Sequence, residues 1–268
     1  PKGIDSSSIA AFWSRGDSVF GTIIAADGDF GLMAGKQVGN SVQLGRFSGW
    51  QGQLMELIRT QNQWGGTLYY RTPPSISLTL GPRPAKTVEV SDSKKTSSKD
   101  ARRPFAFSGV TVMGDTVTNF DSRFKGKALI IDIMGTWCHN CMDAAPLLQK
   151  LYTDFNKQGL EVVGLSLELT GDLQTARKNL LLYEERYGIT FPVLFCGSLD
   201  NANVEARLRS QLNNFFAYPT TIFVDRNGIV QYIHEGFKGP GTGEEYQSQV
   251  DLYYNTVGRL LKAGMAHR

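Results

Sequence analysis

The chain has only three cysteines and three histidines among its 268 residues. So few cysteines exclude a disulfide-stapled scaffold but leave room for one reactive pair, since Cys138 and Cys141 stand three positions apart and Cys196 is alone. Cys196 follows an apolar run and is expected to be a buried strand-end thiol without chemistry. His234 and His267 are too isolated to form a ligand set, and no metal site is expected. Long apolar runs are also missing. No stretch reaches the roughly 18 residues a membrane span needs, and the longest candidate, Ala128 to Met134, is interrupted by Asp132. Charge of one sign is scarce: the formal net charge is +3, and Ser91 to Arg103 alone holds five cations against two acids. The rest of the chain is balanced, which gives a nucleic-acid surface little support.

What is present is ordinary globular composition, 41% hydrophobic and 20% charged, with length enough for two domains. Between Ser18 and Tyr70 short apolar runs are separated by glycine-rich turns: Val19 to Ala25, Phe30 to Ala34, Ser41 to Phe47, Gln53 to Arg59 and Thr67 to Arg71. This pattern predicts a small all-β barrel or sandwich over residues 1–84. It offers no acid, base or nucleophile cluster and reads as an interaction or packing module. Pro73-Pro74, Gly81-Pro82 and Pro84 close it, and a basic Ser/Lys-rich linker is expected over 85–103, solvated and mobile. From 104 to 268 strands and helices alternate: strand 128–134, helix 139–156, strand 160–168, helix 172–187, strand 191–195, helix 203–213, strands 220–224 and 229–234, helix 244–263. That order predicts an α/β domain, a mixed central sheet flanked by helices. The chain opens at Pro1 without an initiator methionine, and a processed N-terminus that has lost an export signal or lipid anchor is expected.

Cys138 and Cys141 lie behind Trp137, where the strand 128–134 gives way to an amphipathic helix. Helix-terminal N–H groups and the positive end of the helix dipole favour thiolate over thiol, so Cys138 is placed to become a nucleophile and Cys141 to resolve the mixed disulfide. Alone, the motif would equally serve as half a zinc site or arise by chance. Farther along, Tyr218-Pro219-Thr220 leads into an alternating run that turns at Asp225-Arg226-Asn227-Gly228, a hairpin entered through a proline. A cis peptide at Pro219 would leave the backbone of residue 218 free to pair with an extended substrate.

With these residues together, 104–268 resembles the TlpA/ResA-type thiol:disulfide oxidoreductases of the bacterial envelope, within the thioredoxin superfamily. Phe124-Lys125-Gly126-Lys127, Gly135-Thr136-Trp137, Leu165-Ser166-Leu167-Glu168 and Gly236-Phe237-Lys238-Gly239-Pro240 carry the same likeness. Gly28-Asp29-Phe30-Gly31 resembles, more weakly, the β domain that often precedes such proteins. The resemblance implies reduction of disulfides in exported proteins, in the periplasm, by a dithiol that needs no cofactor. Electrons would come from a membrane thiol-reducing partner, and a tether would lie outside this chain.

The resemblance also implies roles. Cys138 attacks and is the more exposed thiol; Cys141 is sheltered. Glu168 and Asp132 are the candidate proton acceptors for Cys141, with Glu168 slightly preferred. Trp137, Tyr218, Pro219 and Thr220 form the substrate-facing surface. His139 stands where members usually have proline, and a partly protonated imidazole beside Cys138 would stabilise the thiolate and make the couple more oxidising. Trp137 and Pro219 would contribute to the same tuning. Two alternatives remain: a peroxiredoxin-type thiol peroxidase, and a non-enzymatic copper carrier of the same fold.

Overall fold

The computed structural model describes residues 8–48, 51–61, 63–70, 75–81 and 94–263. Most of the expected linker, residues 85–93, the expected boundary at residue 84, and His267 lie outside the described residues.

The N-terminal part is one antiparallel sheet. Its strands are β1 (Ile9–Arg15), β2 (Ser18–Ala25), β3 (Gly28–Asp29), β4 (Met33–Val38), β5 (Ser41–Ser48), β6 (Gln51–Thr60), β7 (Gln63–Tyr70) and β8 (Ser75–Leu80). Pairing runs β1-β2-β4-β5-β6-β7-β8, with β3 hung on β2, so among the described residues the expected all-β unit is an open half-barrel. Alternation of side chains puts Ile23, Met33, Val42, Leu44, Met55, Leu57, Leu68 and Leu78 on one face, where they form a single apolar core. Outward residues such as Phe47, Leu54 and Ile58 remain exposed.

After a short strand β9 (Ser97–Ser98) the chain builds the α/β domain. Its elements are β10 (Ser108–Val110), β11 (Thr116–Thr118), β12 (Ala128–Met134), α1 (His139–Phe155), β13 (Leu160–Glu168), α2 (Leu173–Tyr187), β14 (Val193–Ser198), α3 (Ala202–Arg209), β15 (Leu212–Asn213), β16 (Thr220–Val224), β17 (Val230–Glu235) and α4 (Glu244–Ala263). The sheet order is β11-β10-β14-β13-β12-β16-β17, with β12 parallel to β13 and antiparallel to β16. This is the mixed thioredoxin-like sheet that the sequence led us to expect.

β12 and β13 sit at its centre and are buried along their whole length, which is why they read as near-continuous apolar runs. Ile130 and Met134 face a core shared with α1 and α4, whereas Leu129, Ile131 and Ile133 face a second core beneath Phe105, Phe107 and Phe215. Each such aliphatic side chain contributes about 1.5–3 kcal/mol by leaving water. Helix α2 starts at Asp172, whose carboxylate accepts the N–H groups of Gln174 and Thr175.

The expected linker is not solvated along its whole length. Thr96 is buried, and both its N–H (2.7 Å) and its hydroxyl donate to the Glu235 carboxylate. β9 also pairs with β15. A carboxylate that accepts two bonds fastens the segment to the α/β domain.

The Nε2–H of His234 on β17 donates to Gln249 Oε1 on α4 at 3.1 Å, and burial pushes its pKa down to about 4. As pH falls from its ordinary 6.5 towards 4, the unfolded chain takes up a proton that the folded chain refuses. Stability should therefore fall across that window. His234→Gln is expected to flatten the fall when denaturation midpoints are measured against pH.

Candidate active site

β12 runs out through Gly135-Thr136-Trp137 into α1, and Cys138 is the N-cap of that helix, with extended backbone at φ −89°, ψ 115°. Its sulfur accepts the Cys141 N–H at 3.2 Å, so the first turn directs an N–H and the positive end of the helix dipole at Sγ. Cys138 and Cys141 form a disulfide, with Cα atoms 5.3 Å apart. The expected contrast in exposure is small: Cys138 is 4% exposed and Cys141 1%. The β-domain residues Gly28, Asp29, Phe30 and Tyr70 lie over Cys138, and Cys141 is buried in the α/β core.

Facing them is the loop before β16. The Tyr218–Pro219 peptide is cis, and the Tyr218 carbonyl oxygen lies 3.5 Å from Cys138 Sγ. The Trp137 ring meets Tyr218 edge-on at 5.2 Å and donates its Nε1–H to the Leu167 carbonyl at 2.8 Å, which fixes the indole. Burial raises the Tyr218 phenol to about 12, so it stays protonated at neutral pH. Thr220 is not a contact surface. It is fully buried, and its hydroxyl donates to the Ala217 carbonyl, closing the loop from inside.

The two carboxylates differ in what occupies them. Both stand on the sheet face that carries Cys141, since Asp132 shares strand parity with Ile130 and Met134, and Glu168 with Val162. Glu168 accepts the Thr136 N–H at 2.9 Å and the hydroxyls of Thr136 and Ser166. It thus pins the segment that delivers Trp137. Asp132 has only the Thr221 hydroxyl at 2.8 Å, and burial pushes its pKa up to about 7. Burial thus holds the Asp132 carboxyl near neutrality, whereas the Glu168 carboxylate is occupied by Thr136 and Ser166.

His139 neither points freely into solvent nor stands as a lone neighbour of the thiol. Its Nε2 meets the Asp29 carbonyl at 2.9 Å and its Nδ1 the Tyr70 hydroxyl at 3.3 Å. A carbonyl only accepts, so Nε2 carries a proton and the Tyr70 O–H donates to Nδ1 in the neutral ring. Phe30 and Tyr70 flank the imidazole at 6.2 and 5.6 Å. Both ring nitrogens of His139 thus turn to the β domain.

That contact belongs to a seam the sequence did not disclose. Asp29 donates its N–H to the Phe237 carbonyl, and its carboxylate accepts from Gly239 N–H at 2.8 Å and Thr22 hydroxyl at 2.8 Å. Burial holds the Asp29 carboxyl above its usual range, opposed by the Gly239 N–H. Arg46 pairs with Asp143 at 2.7 Å. Gly28 lies so close to Asn140 and the Phe237 carbonyl that no Cβ fits there. The one signal that could have pointed here was Gly28-Asp29-Phe30-Gly31, a short polar turn inside an apolar sheet.

Residues 103–233 match the AhpC/TSA family. The thioredoxin-like protein YneN of Bacillus subtilis is 28% identical over 146 residues, covering 54% of this chain and 75% of that one. ResA of Geobacillus kaustophilus, described as a thiol-disulfide oxidoreductase, is 30% identical over 117 residues, 43% of this chain and 58% of its own length. ResA of Geobacillus thermodenitrificans is 29% identical over 116 residues, and the chain spans 57% of it. A thiol:disulfide interchange protein of the thioredoxin family from Chlorobium tepidum superposes with a TM-score of 0.45 at 21% identity, over 59% of this chain and 94% of that one.

Proposed function

We propose that the chain is a thiol:disulfide oxidoreductase working through Cys138 and Cys141, a reading supported by the AhpC/TSA match over residues 103–233 and the likeness to ResA. The observation that carries this reading is Cys138 Sγ at the start of α1, disulfide-bonded to Cys141 and 3.5 Å from the Tyr218 carbonyl beside cis-Pro219.

In the reduced protein the Cys141 N–H and the helix dipole favour the Cys138 thiolate. It attacks one sulfur of a substrate disulfide, forming a mixed disulfide and releasing the other substrate sulfur as a thiolate that takes up a proton. Cys141 then passes its proton to Asp132 and attacks Cys138 Sγ. The substrate's second thiol leaves, two electrons have passed to the substrate, and the Cys138–Cys141 disulfide remains. Glu168 holds Thr136, and so Trp137, in place. Trp137 and Tyr218 supply the aromatic wall, and Pro219 shapes the loop against the sulfur. The thiols carry the electrons, so the reaction needs no cofactor.

The likeness to ResA supports disulfide-bearing exported proteins as substrates, a periplasmic or other envelope location, and a membrane thiol-reducing system as electron source. Among the described residues no helix is long and apolar enough to cross a membrane. The test is to mix the reduced protein with a peptide disulfide and follow thiols by alkylation and mass spectrometry. The Cys138–Cys141 disulfide should return as the peptide disulfide is lost. A reduced chain that leaves the peptide intact would refute the reading. Rapid consumption of hydroperoxide instead would favour the thiol peroxidase alternative, which the oxidoreductase names of the relatives support less.

A further inference from the structure

The space that reaches Cys138 is a pocket of about 260 Å³ between the two domains. Phe30 and Tyr70 of the β domain form one wall, and Trp137, Phe216 and Tyr218 of the α/β domain form the other. Ordinary small-molecule clefts measure about 300–1,000 Å³. With Cys138 only 4% exposed at its floor, a rigid protein surface cannot bring a sulfur into line with Sγ. A slim group can.

The β-domain wall is held by a few directional bonds. They include the Asp29 carbonyl and the Tyr70 hydroxyl with His139, the Asp29 N–H with the Phe237 carbonyl, the Asp29 carboxylate with Gly239 N–H, and the Arg46–Asp143 pair, whose side chains are 12% and 19% exposed. The same seam contains unsatisfied groups. Arg46 Nη1, Asp143 Oδ2 and Asn140 Oδ1 are buried without a hydrogen-bond partner. On opening, such polar groups exchange their bonds for bonds to water, which apolar groups cannot do.

We propose that the β domain is the specificity element of the dithiol. Docked, it admits a disulfide only when that disulfide is carried on a small molecule or on an extended peptide segment. A folded disulfide protein reacts only after the domain has separated. The inference rests on the dithiol-exchange reading, and the chemistry is the same two-electron exchange in every case. What changes is which disulfides reach Cys138.

The test compares reagents of different girth on the full-length reduced protein, with modification of Cys138 read by mass spectrometry. Iodoacetamide and a polyethylene-glycol maleimide are each referenced to their rates with free cysteine. The bulky reagent is expected to lag the small one by roughly tenfold or more, in proportion to the scarcity of the separated form. Arg46→Ala, which removes the ion pair without touching the pocket, is expected to close most of that gap. Asp143→Asn attacks the same pair from the other domain and should act alike.

In parallel, hydroxyethyl disulfide, a cystine-bridged peptide and folded insulin are offered as oxidants. The first should react equally with wild type and Arg46→Ala, whereas insulin should gain from the substitution. A fast peptide assigns the pocket to extended segments; a slow one assigns it to small molecules. Equal referenced rates for both alkylating reagents on wild type would overturn the proposal while leaving the redox reading intact. Failure of every disulfide to oxidise the reduced protein would refute the redox reading itself.

Discussion

The Cys141→Ser protein is expected to stall with Cys138 covalently joined to its substrate, whereas Cys138→Ser joins nothing. The asymmetry follows from the helix start. Only Cys138 has its sulfur at the N-cap, where it accepts an N–H and meets the positive end of the dipole, while Cys141 lies within the first turn, 1% exposed. Removing Cys138 removes the only thiol positioned to attack, and turnover should drop by more than about 10³-fold. Removing Cys141 leaves the first exchange intact and abolishes the second. The checkable result is a substrate adduct on non-reducing gels from the Cys141→Ser protein that dithiothreitol releases, and none from the double variant. If Cys138→Ser forms the adduct instead, the assignment of attacker and resolver is inverted.

Asp132→Asn should make the protein more stable and less active. Burial raises the Asp132 carboxyl from 3.8 to about 7, with only the Thr221 hydroxyl in opposition. The sign is fixed by which state loses its proton first. As pH rises from about 4 to 7 the unfolded chain ionises Asp132 while the folded chain keeps it neutral, so stability falls across that window and the full loss is present above it. A shift of this size corresponds to about 4 kcal/mol. Asparagine cannot ionise, so the variant should show a higher denaturation midpoint at pH 8 than wild type, with the gap closing towards pH 4. In the proposed exchange the same substitution deprives Cys141 of its proton acceptor. Loss of a general base typically slows a step about 10²–10⁴-fold. Resolution of a preformed mixed disulfide should therefore slow in Asp132→Asn and lose its pH dependence near neutrality, while attack by Cys138 is little changed. Stability gained together with resolution lost marks a residue kept for chemistry. Unchanged resolution kinetics would return the role to Glu168 or to water.

The α/β domain was largely legible because its signals are local. Ala128–Met134, Leu160–Glu168, Thr220–Val224 and Glu244–Ala263 fall where apolar runs and helical spacing set them, since each packs against the core along its length. Errors arose where a partner distant in sequence decides the outcome. The helix expected to reach 213 ends at Arg209, because Leu212–Asn213 extends to pair with β9. Phe30 to Ala34 looked like a strand, yet the chain turns there and pairing begins at Met33, since the Asp29 carboxylate captures the Gly31 N–H. β1 and β8 were not expected, although Ser75–Leu80 alternates strictly between polar and apolar residues.

The dithiol and the proline were readable from type and spacing, and the two carboxylates were singled out by the family resemblance. The occupancy of those carboxylates was not, because it depends on Thr136, Ser166 and Thr221. Asp29 was marked only by the turn it stands in, and the roles of Arg46 and Tyr70 left no local signal. Each meets its partner across 69 or more residues, a distance at which no periodicity survives.

At Gly28 and Gly236 the two halves of the molecule touch backbone to backbone. A Cβ on the first would strike Asn140 and the Phe237 carbonyl, and one on the second would strike the Asp27 carbonyl. A lone methyl group at either point is thus the smallest wedge that could hold the halves permanently ajar.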